Sequence, residues 1–183
     1  MLAVGAALIL GLAAWAAVQI RAHENLAYDF RLTDQDGKPF RLSDERGHAV
    51  AIYFGYTRCT DTCLTTMAHL ASARRTMGPA GAQTRVLFVT IDPDHDTPSL
   101  LKEYLAHFDP SFVGLTGTRA ELAPVYRAYH VAFEVAPKSQ RAGDPFEMHT
   151  SMVWIIDRNG HPAGFADSSD STSALAQDLR EAS

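Results

Sequence analysis

Cys59 and Cys63 carry the most distinctive chemistry in this chain of 183 residues, which holds no other cysteine. Two thiols are too few for a disulfide framework. Their segment, Cys59-Thr60-Asp61-Thr62-Cys63, places three residues between them, one more than the paired motif of dithiol oxidoreductases. Side chains four apart on a regular helix share a face with Cβ atoms about 5–6 Å apart. A disulfide wants about 3.5–4.5 Å. A metal that accepts two thiolates at about 2.3 Å each bridges the larger gap without distorting the turn. The spacing therefore favours coordination over thiol–disulfide cycling. A structural disulfide ranks last, since closing so short a loop removes little chain entropy. A helix N-terminus close by lowers thiol pKa, so thiolates are expected here.

Two thiolates satisfy only a linear cuprous ion, and a third donor is sought among eight histidines. His69 lies six residues beyond Cys63, roughly 240° around an ideal helix, and points elsewhere. His23, His48, His107, His130 and His161 sit in surface contexts. His95 and His149 are left as candidates. His95, within Asp92-Pro93-Asp94-His95-Asp96, reads more readily as a solvated loop residue, and those carboxylates as a solvated acidic rim. His149 enters the apolar strand expected at Met152–Ile156 and could face the thiols. Met67 and Met148 read as packing residues, because methionine fills irregular core space.

The elements that would position these groups follow from pattern and punctuation. Tyr28–Thr33 and Phe40–Leu42 flank an Asp-Gly turn at residues 34–38 and predict a hairpin covering one sheet edge. Ala49–Phe54 and Val86–Ile91 are continuous apolar runs, the signature of strands buried on both faces. A helix is expected from Cys63 to Met77, stopped by Gly78-Pro79. A second follows Asp96-Thr97-Pro98, and a third spans about Thr118–Tyr129 with Pro124 inside. Lys138–Glu147 reads as a polar loop. Met152–Ile156 and His161–Phe165 bracket Asp157-Arg158-Asn159-Gly160, a strong hairpin signal, and Thr172–Glu181 closes the chain as a helix. This order predicts an α/β, thioredoxin-like fold with a central mixed sheet and helices on both faces. The cysteines then stand where the first central strand gives way to its helix, the edge at which α/β sheets place their chemistry.

The length suits one globular domain, and 46% hydrophobic with 20% charged residues excludes disordered, collagenous and coiled-coil classes. Sixteen basic against twenty-one acidic side chains, a net charge of −5, would repel a phosphate backbone, so nucleic acid is no expected partner. Leu2 to Val18 is wholly apolar or glycine, and Arg21 is the first charge. About 20 helical residues cross a hydrocarbon core. Residues 1–21 are therefore expected to form a single transmembrane helix, with a signal peptide cleaved near Ala14-Trp15-Ala16 as the rival. Residues 22–183 form the domain, placed outside the cytoplasm on the periplasmic side.

Four blocks carry a family resemblance: residues 53–63 (YFGYTRCTDTC), Val89-Thr90-Ile91-Asp92-Pro93 with Asp96-Thr97-Pro98, residues 114–118 (GLTGT), and His149-Thr150-Ser151 before Ile155-Ile156-Asp157. In this order they resemble the Sco/SenC copper proteins from about Tyr28 to the C-terminus. The resemblance implies a membrane-anchored thioredoxin-like protein. It would bind one copper, Cu(I) or Cu(II), through Cys59, Cys63 and His149, and deliver it to the CuA-bearing subunit of cytochrome c oxidase, with a periplasmic donor upstream. Family members commonly carry proline after each cysteine, where Thr60 and Leu64 stand, and aspartate before the histidine, where Met148 stands. Loss of that carboxylate bears on imidazole orientation, and a neighbouring thioether favours Cu(I). The rival reading is a thiol–disulfide reductase, with Cys59 and Cys63 as catalytic thiols that keep the acceptor cysteines reduced. A peroxide-reducing relative ranks below both.

Overall fold

The structure, a computed structural model, describes residues 26–135, 146–167 and 170–183, with residues 147–149 described by their backbone. Strands β1 (Arg31–Asp34) and β2 (Pro39–Arg41) form the expected hairpin, whose turn is tied by the Asp34 carboxylate accepting the Asp36 and Lys38 N–H groups at 2.9 and 2.8 Å. A 3-10 turn at Leu42–Glu45 leads to β3 (Val50–Gly55), and all six of its residues are buried. Helix α1 (Thr62–Met77), a short α2 (Pro79–Ala82), β4 (Arg85–Thr90), α3 (Pro98–Ala106), β5 (Val113–Thr116) and α4 (Arg119–Ala128) follow. The remainder is β6 (Phe133–Val135), β7 (Phe146–His149), β8 (Met152–Ile156), β9 (Pro162–Asp167) and α5 (Thr172–Glu181).

Among the described residues the main sheet has the order β2-β1-β5-β4-β3-β8-β9. Strands β3, β4 and β5 run parallel, while β8 lies antiparallel to β3 and β9 antiparallel to β8. Side chains alternate across a strand, so Tyr53 and Gly55 face one side of the sheet and Phe54 the other. On the first side Tyr53 packs toward Phe88, and Phe88 toward Tyr104 of α3, with ring centroids 6.1 and 5.5 Å apart. On the second, Phe54 meets Tyr126 of α4 and Tyr129 just beyond it. Helix α1 buries Cys63, Met67, Leu70, Ala71 and Ala73 and packs along α5, which buries Leu175, Ala176 and Leu179. Helices thus cover both faces, as the order of elements requires. Caps set the helix starts: the Thr97 side chain accepts the Leu100 N–H, and Thr118 with Glu121 closes a capping box.

Several expectations are corrected. Val113–Thr116 is a central strand that its sequence hides, because Gly114 lowers strand propensity. That glycine is needed for close approach: a Cβ there would stand 2.8 Å from Leu105 Cδ1 and 2.9 Å from Leu101 Cβ, both on α3. His149 does not belong to the strand beside β3. It ends β7, which pairs with β6 in a separate two-stranded sheet, whereas β8 begins at Met152 and sets Val153 opposite Tyr53. Of the loop expected at Lys138–Glu147, Phe146 and Glu147 open β7, and residues 138–145 lie outside the described residues. The apolar run Leu2–Val18 also lies outside them, and no helix among the described residues is long and apolar enough to cross a membrane.

Overpacking of this kind costs typically about 1–3 kcal/mol. Gly114→Ala should lower the unfolding free energy by about that much in urea titrations while leaving the helical circular-dichroism signal unchanged.

Candidate functional site

Strand β3 delivers the chain to Gly55 at the carboxyl edge of the parallel strands, and residues 56–61 turn before α1 begins at Thr62. Within the turn the Cys59 N–H donates to the Tyr56 carbonyl at 3.2 Å. Cys59 therefore precedes the helix and Cys63 sits in its first turn, so the regular-helix spacing assumed from sequence does not apply. The sulfurs are brought together differently. Cys59 Sγ accepts the Cys63 backbone N–H at 3.4 Å, occupying one of the donors that a helix start leaves without an intrahelical partner. Asp61, at the N-cap position, makes no such side-chain bond. Gly55 leaves room for the second sulfur: a Cβ there would lie 2.9 Å from Cys63 Sγ. The Tyr53 hydroxyl donates to Cys63 Sγ at 3.5 Å.

Both cysteines are buried and are not joined in a disulfide. The pKa of Cys63 is raised, first by its hydrogen bond with Cys59 and then by burial, against a smaller opposing pull from Tyr53. For Cys63 this direction is opposite to the depression expected from a nearby helix N-terminus, its causes being the neighbouring Cys59 and burial. A metal reaching the pair must displace protons.

The turn is braced from the end of β4. Asp96 is fully buried and accepts the Thr57 hydroxyl at 2.6 Å, the Thr57 N–H at 3.2 Å and the Thr90 hydroxyl at 2.6 Å. Arg58 pairs with Asp92 at 2.6 Å, and Arg119 with Asp94. The solvated acidic rim expected from residues 92–96 is thus mostly neutralised, with Asp96 turned inward. Burial raises the pKa of Asp96, outweighing its hydrogen bonds from Thr57 and Thr90.

Of the two candidate histidines, His95 is exposed and lines a cavity of about 280 Å³ together with Thr57, Arg58 and Tyr104. His149 is described by its backbone, which pairs with Phe133 across the small sheet. Phe146, at the other end of that strand, packs on Phe133 at 5.4 Å and on Tyr56 at 4.7 Å, three residues before Cys59. The strand bearing His149 is therefore anchored to the cysteine turn. Among the described residues no three His, Cys, Asp or Glu side chains form a metal set; two soft donors come together at the turn. Met67 is fully buried, as expected of a packing residue.

A central parallel strand that runs into a cysteine-bearing turn and then a helix, flanked by an antiparallel β8–β9 pair, defines a thioredoxin-like protein with a dithiol site at the sheet edge. The SCO1/SenC family model matches residues 18–183, and the chain belongs to that family. It is 37% identical over 134 residues to a SCO2-like protein of Rickettsia felis, an alignment covering 72% of this chain and 64% of that one. It is 34% identical over 137 residues to the mitochondrial SCO1 protein of Saccharomyces cerevisiae, covering 74% and 46%. The chain thus spans less than two-thirds of the length of these relatives. Among solved structures, Bradyrhizobium japonicum ScoI with copper bound superposes with a TM-score of 0.77 at 33% identity, covering 86% of this chain and 99% of that one. Yeast Sco1 with copper bound gives 0.76 at 30% identity, covering 86% and 87%.

The sequence reading missed Tyr53, Tyr104, Thr57 and Thr90 as groups around the sulfurs. Thr57 and Thr90 carried a usable signal, being hydroxyls just past or at the ends of apolar strands with an aspartate downstream. The tyrosines carried none, since an aromatic residue in an apolar stretch reads as core.

A carboxyl with a raised folded-state pKa binds its proton more tightly folded than unfolded. The contribution of Asp96 to stability is therefore complete below the ordinary value of 3.8 and is lost as pH rises through the folded-state value. Comparing unfolding free energies against pH, wild type should lose stability over that window relative to Asp96→Asn.

Proposed function

We propose that this chain is a copper carrier. Cys59 and Cys63 as thiolates and His149 as an imidazole hold one copper ion, which passes by ligand exchange to the CuA-bearing subunit of cytochrome c oxidase. The observation that carries the reading is the meeting of the two sulfurs at the start of α1, with Cys63 N–H on Cys59 Sγ and Tyr53 on Cys63 Sγ. Relatives that are 33% and 30% identical have been solved with copper bound, which supports copper as the cargo. Soft thiolates select copper by ligand type, and three protein donors leave a position open for an incoming acceptor ligand. The packing of Phe146 on Tyr56 supports His149 over His95, because it ties β7 to the cysteine turn.

The apolar run at residues 2–18 supports a membrane anchor over residues 1–21, leaving residues 22–183 as a domain on the periplasmic side that receives copper from a periplasmic donor. The reductase reading ranks second. Nucleophilic exchange needs a thiolate, and the raised pKa of Cys63 works against one in the absence of metal.

Copper content and affinity of the reduced chain decide the matter. Wild type should bind one copper, and Cys59→Ser and Cys63→Ser should abolish tight binding. Residues that merely orient a ligand are worth about 10–100-fold in affinity, so His149→Ala should weaken binding by about 100-fold or more and change the spectrum. Wild-type affinity in that variant would remove His149 from the set, and metal-free turnover of a disulfide-bonded acceptor would establish the reductase instead.

Because copper must displace the Cys63 proton, apparent affinity should also rise with pH through the neutral range in competition titrations with a pH-corrected chelator.

A further inference from the structure

Strands β8 and β9 present two unlike faces. Val153, Ile155 and Ala166 are buried on one side. On the other, Trp154 stands opposite Phe165 with ring centroids 6.0 Å apart, and Phe165 is 62% exposed, more than any other large apolar side chain among the described residues. Trp154 is half-buried and meets the Tyr129 ring at 5.8 Å. The Tyr129 hydroxyl donates to the Tyr28 carbonyl at 3.0 Å, and Tyr28 is itself 46% exposed. Aromatic side chains thus run from the start of the described chain to the edge strand. Exposed apolar patches rimmed by polar residues mark interaction sites.

The point of entry of the chain says what covers this one. The Ala27 N–H donates at 2.8 Å to the carbonyl of Gly160, in the turn that joins β8 to β9. Leu26 Cδ2 lies 3.5 Å from where a Cβ on Gly160 would stand. Arg21, which ends the proposed anchor, is five residues before Leu26, and an extended chain covers at most about 3.6 Å per residue, or about 18 Å in all. The anchor therefore keeps this turn, and the aromatic row beside it, close to the bilayer surface. Arg46 and Arg158 stand at the same turn, both exposed and in no ion pair among the described residues. Arg46 Nε is 3.4 Å from the same Cβ position, and the Arg158 carbonyl accepts the Gly47 N–H at 2.8 Å. Tryptophan and tyrosine favour the membrane–water interface, and arginine lays its stem on apolar surface while its head stays with polar groups. With a net charge of −5 the chain gains nothing overall from an anionic surface, so apolar insertion carries the contact.

We propose that the Trp154–Phe165 face is a membrane-docking surface: Phe165, Trp154 and Tyr28 seat in the phospholipid interface, with Arg46 and Arg158 on lipid phosphates. The hairpin turn lies at the end of the sheet away from the sulfurs, since Ile156 pairs with Val50, where β3 starts, and the cysteines follow Gly55, where it stops. The docked domain holds the cysteine turn clear of the headgroups and open to a protein acceptor. The inference rests on the anchor reading above and adds a second contact to it.

The test uses the full chain in phosphatidylcholine vesicles, with Trp15→Phe so that Trp154 is the one remaining tryptophan. Lipids brominated beside the headgroup should quench Trp154 emission. Phe165→Asp and, off the sheet, Tyr28→Ser should each lose most of that quenching. Val135→Asp, at a 50% exposed position beside the cavity that Arg58 lines, should keep it. Unquenched Trp154 in a chain that alkaline carbonate fails to strip from the vesicles would overturn the docking and leave the anchor standing, as would quenching that survives both Phe165→Asp and Tyr28→Ser. A chain stripped by carbonate would remove the anchor and the docking with it. Trp154 shielded from aqueous acrylamide yet untouched by the lipid quencher, in chains that cross-link as pairs, would give the face to a second copy and overturn the inference.

Discussion

The path of the chain between β3 and α1 depends on one buried carboxylate. Asp96 takes three hydrogen bonds, from Thr57 in the turn and Thr90 at the end of β4, and so holds the approach to Cys59 against the neighbouring strand. The Arg58–Asp92 ion pair and the packing of Phe146 on Tyr56 hold the same turn from outside, whereas Asp96 holds it from within. A negative charge is costly to bury, and its presence at a sheet edge is reasonable only where the groups it orders must stay in register. Those groups are the two sulfurs.

The surroundings of the sulfurs are apolar and their neighbours are mostly neutral donors. Cys63 is enclosed by Tyr53, Phe88 and the bare Cα of Gly55. Such a setting favours the protonated form of Cys63.

Much of this was legible in the amino-acid sequence, and the failures have physical causes. Continuous apolar runs marked β3 and β4, the Asp-Gly and Asn-Gly turns marked both hairpins, and Asp96-Thr97-Pro98 marked the start of α3. Strand β5 escaped because Gly114, which lets α3 settle against the sheet, is the residue that disguises a strand. Strands β6 and β7 are three and four residues long and flank a polar segment, too short for periodicity to register. At the site, the spacing of Cys59 and Cys63 was read on a regular helix. The helix itself was read to within one residue, Cys63–Met77 against Thr62–Met77, but Cys59 lies in the turn before it, where helical spacing does not hold. Asp96 was read as a cap and a rim charge because sequence shows that a carboxylate is present and not which way it turns.

The ion pairs of Arg58 with Asp92 and Arg119 with Asp94 offset two of the carboxylates at the edge where the sulfurs sit. Paired charges of this kind steer a visiting molecule less than bare carboxylates would. Discrimination among visitors then falls to short-range fit, for which Leu64, 40% exposed beside Cys63, offers the nearest apolar foothold.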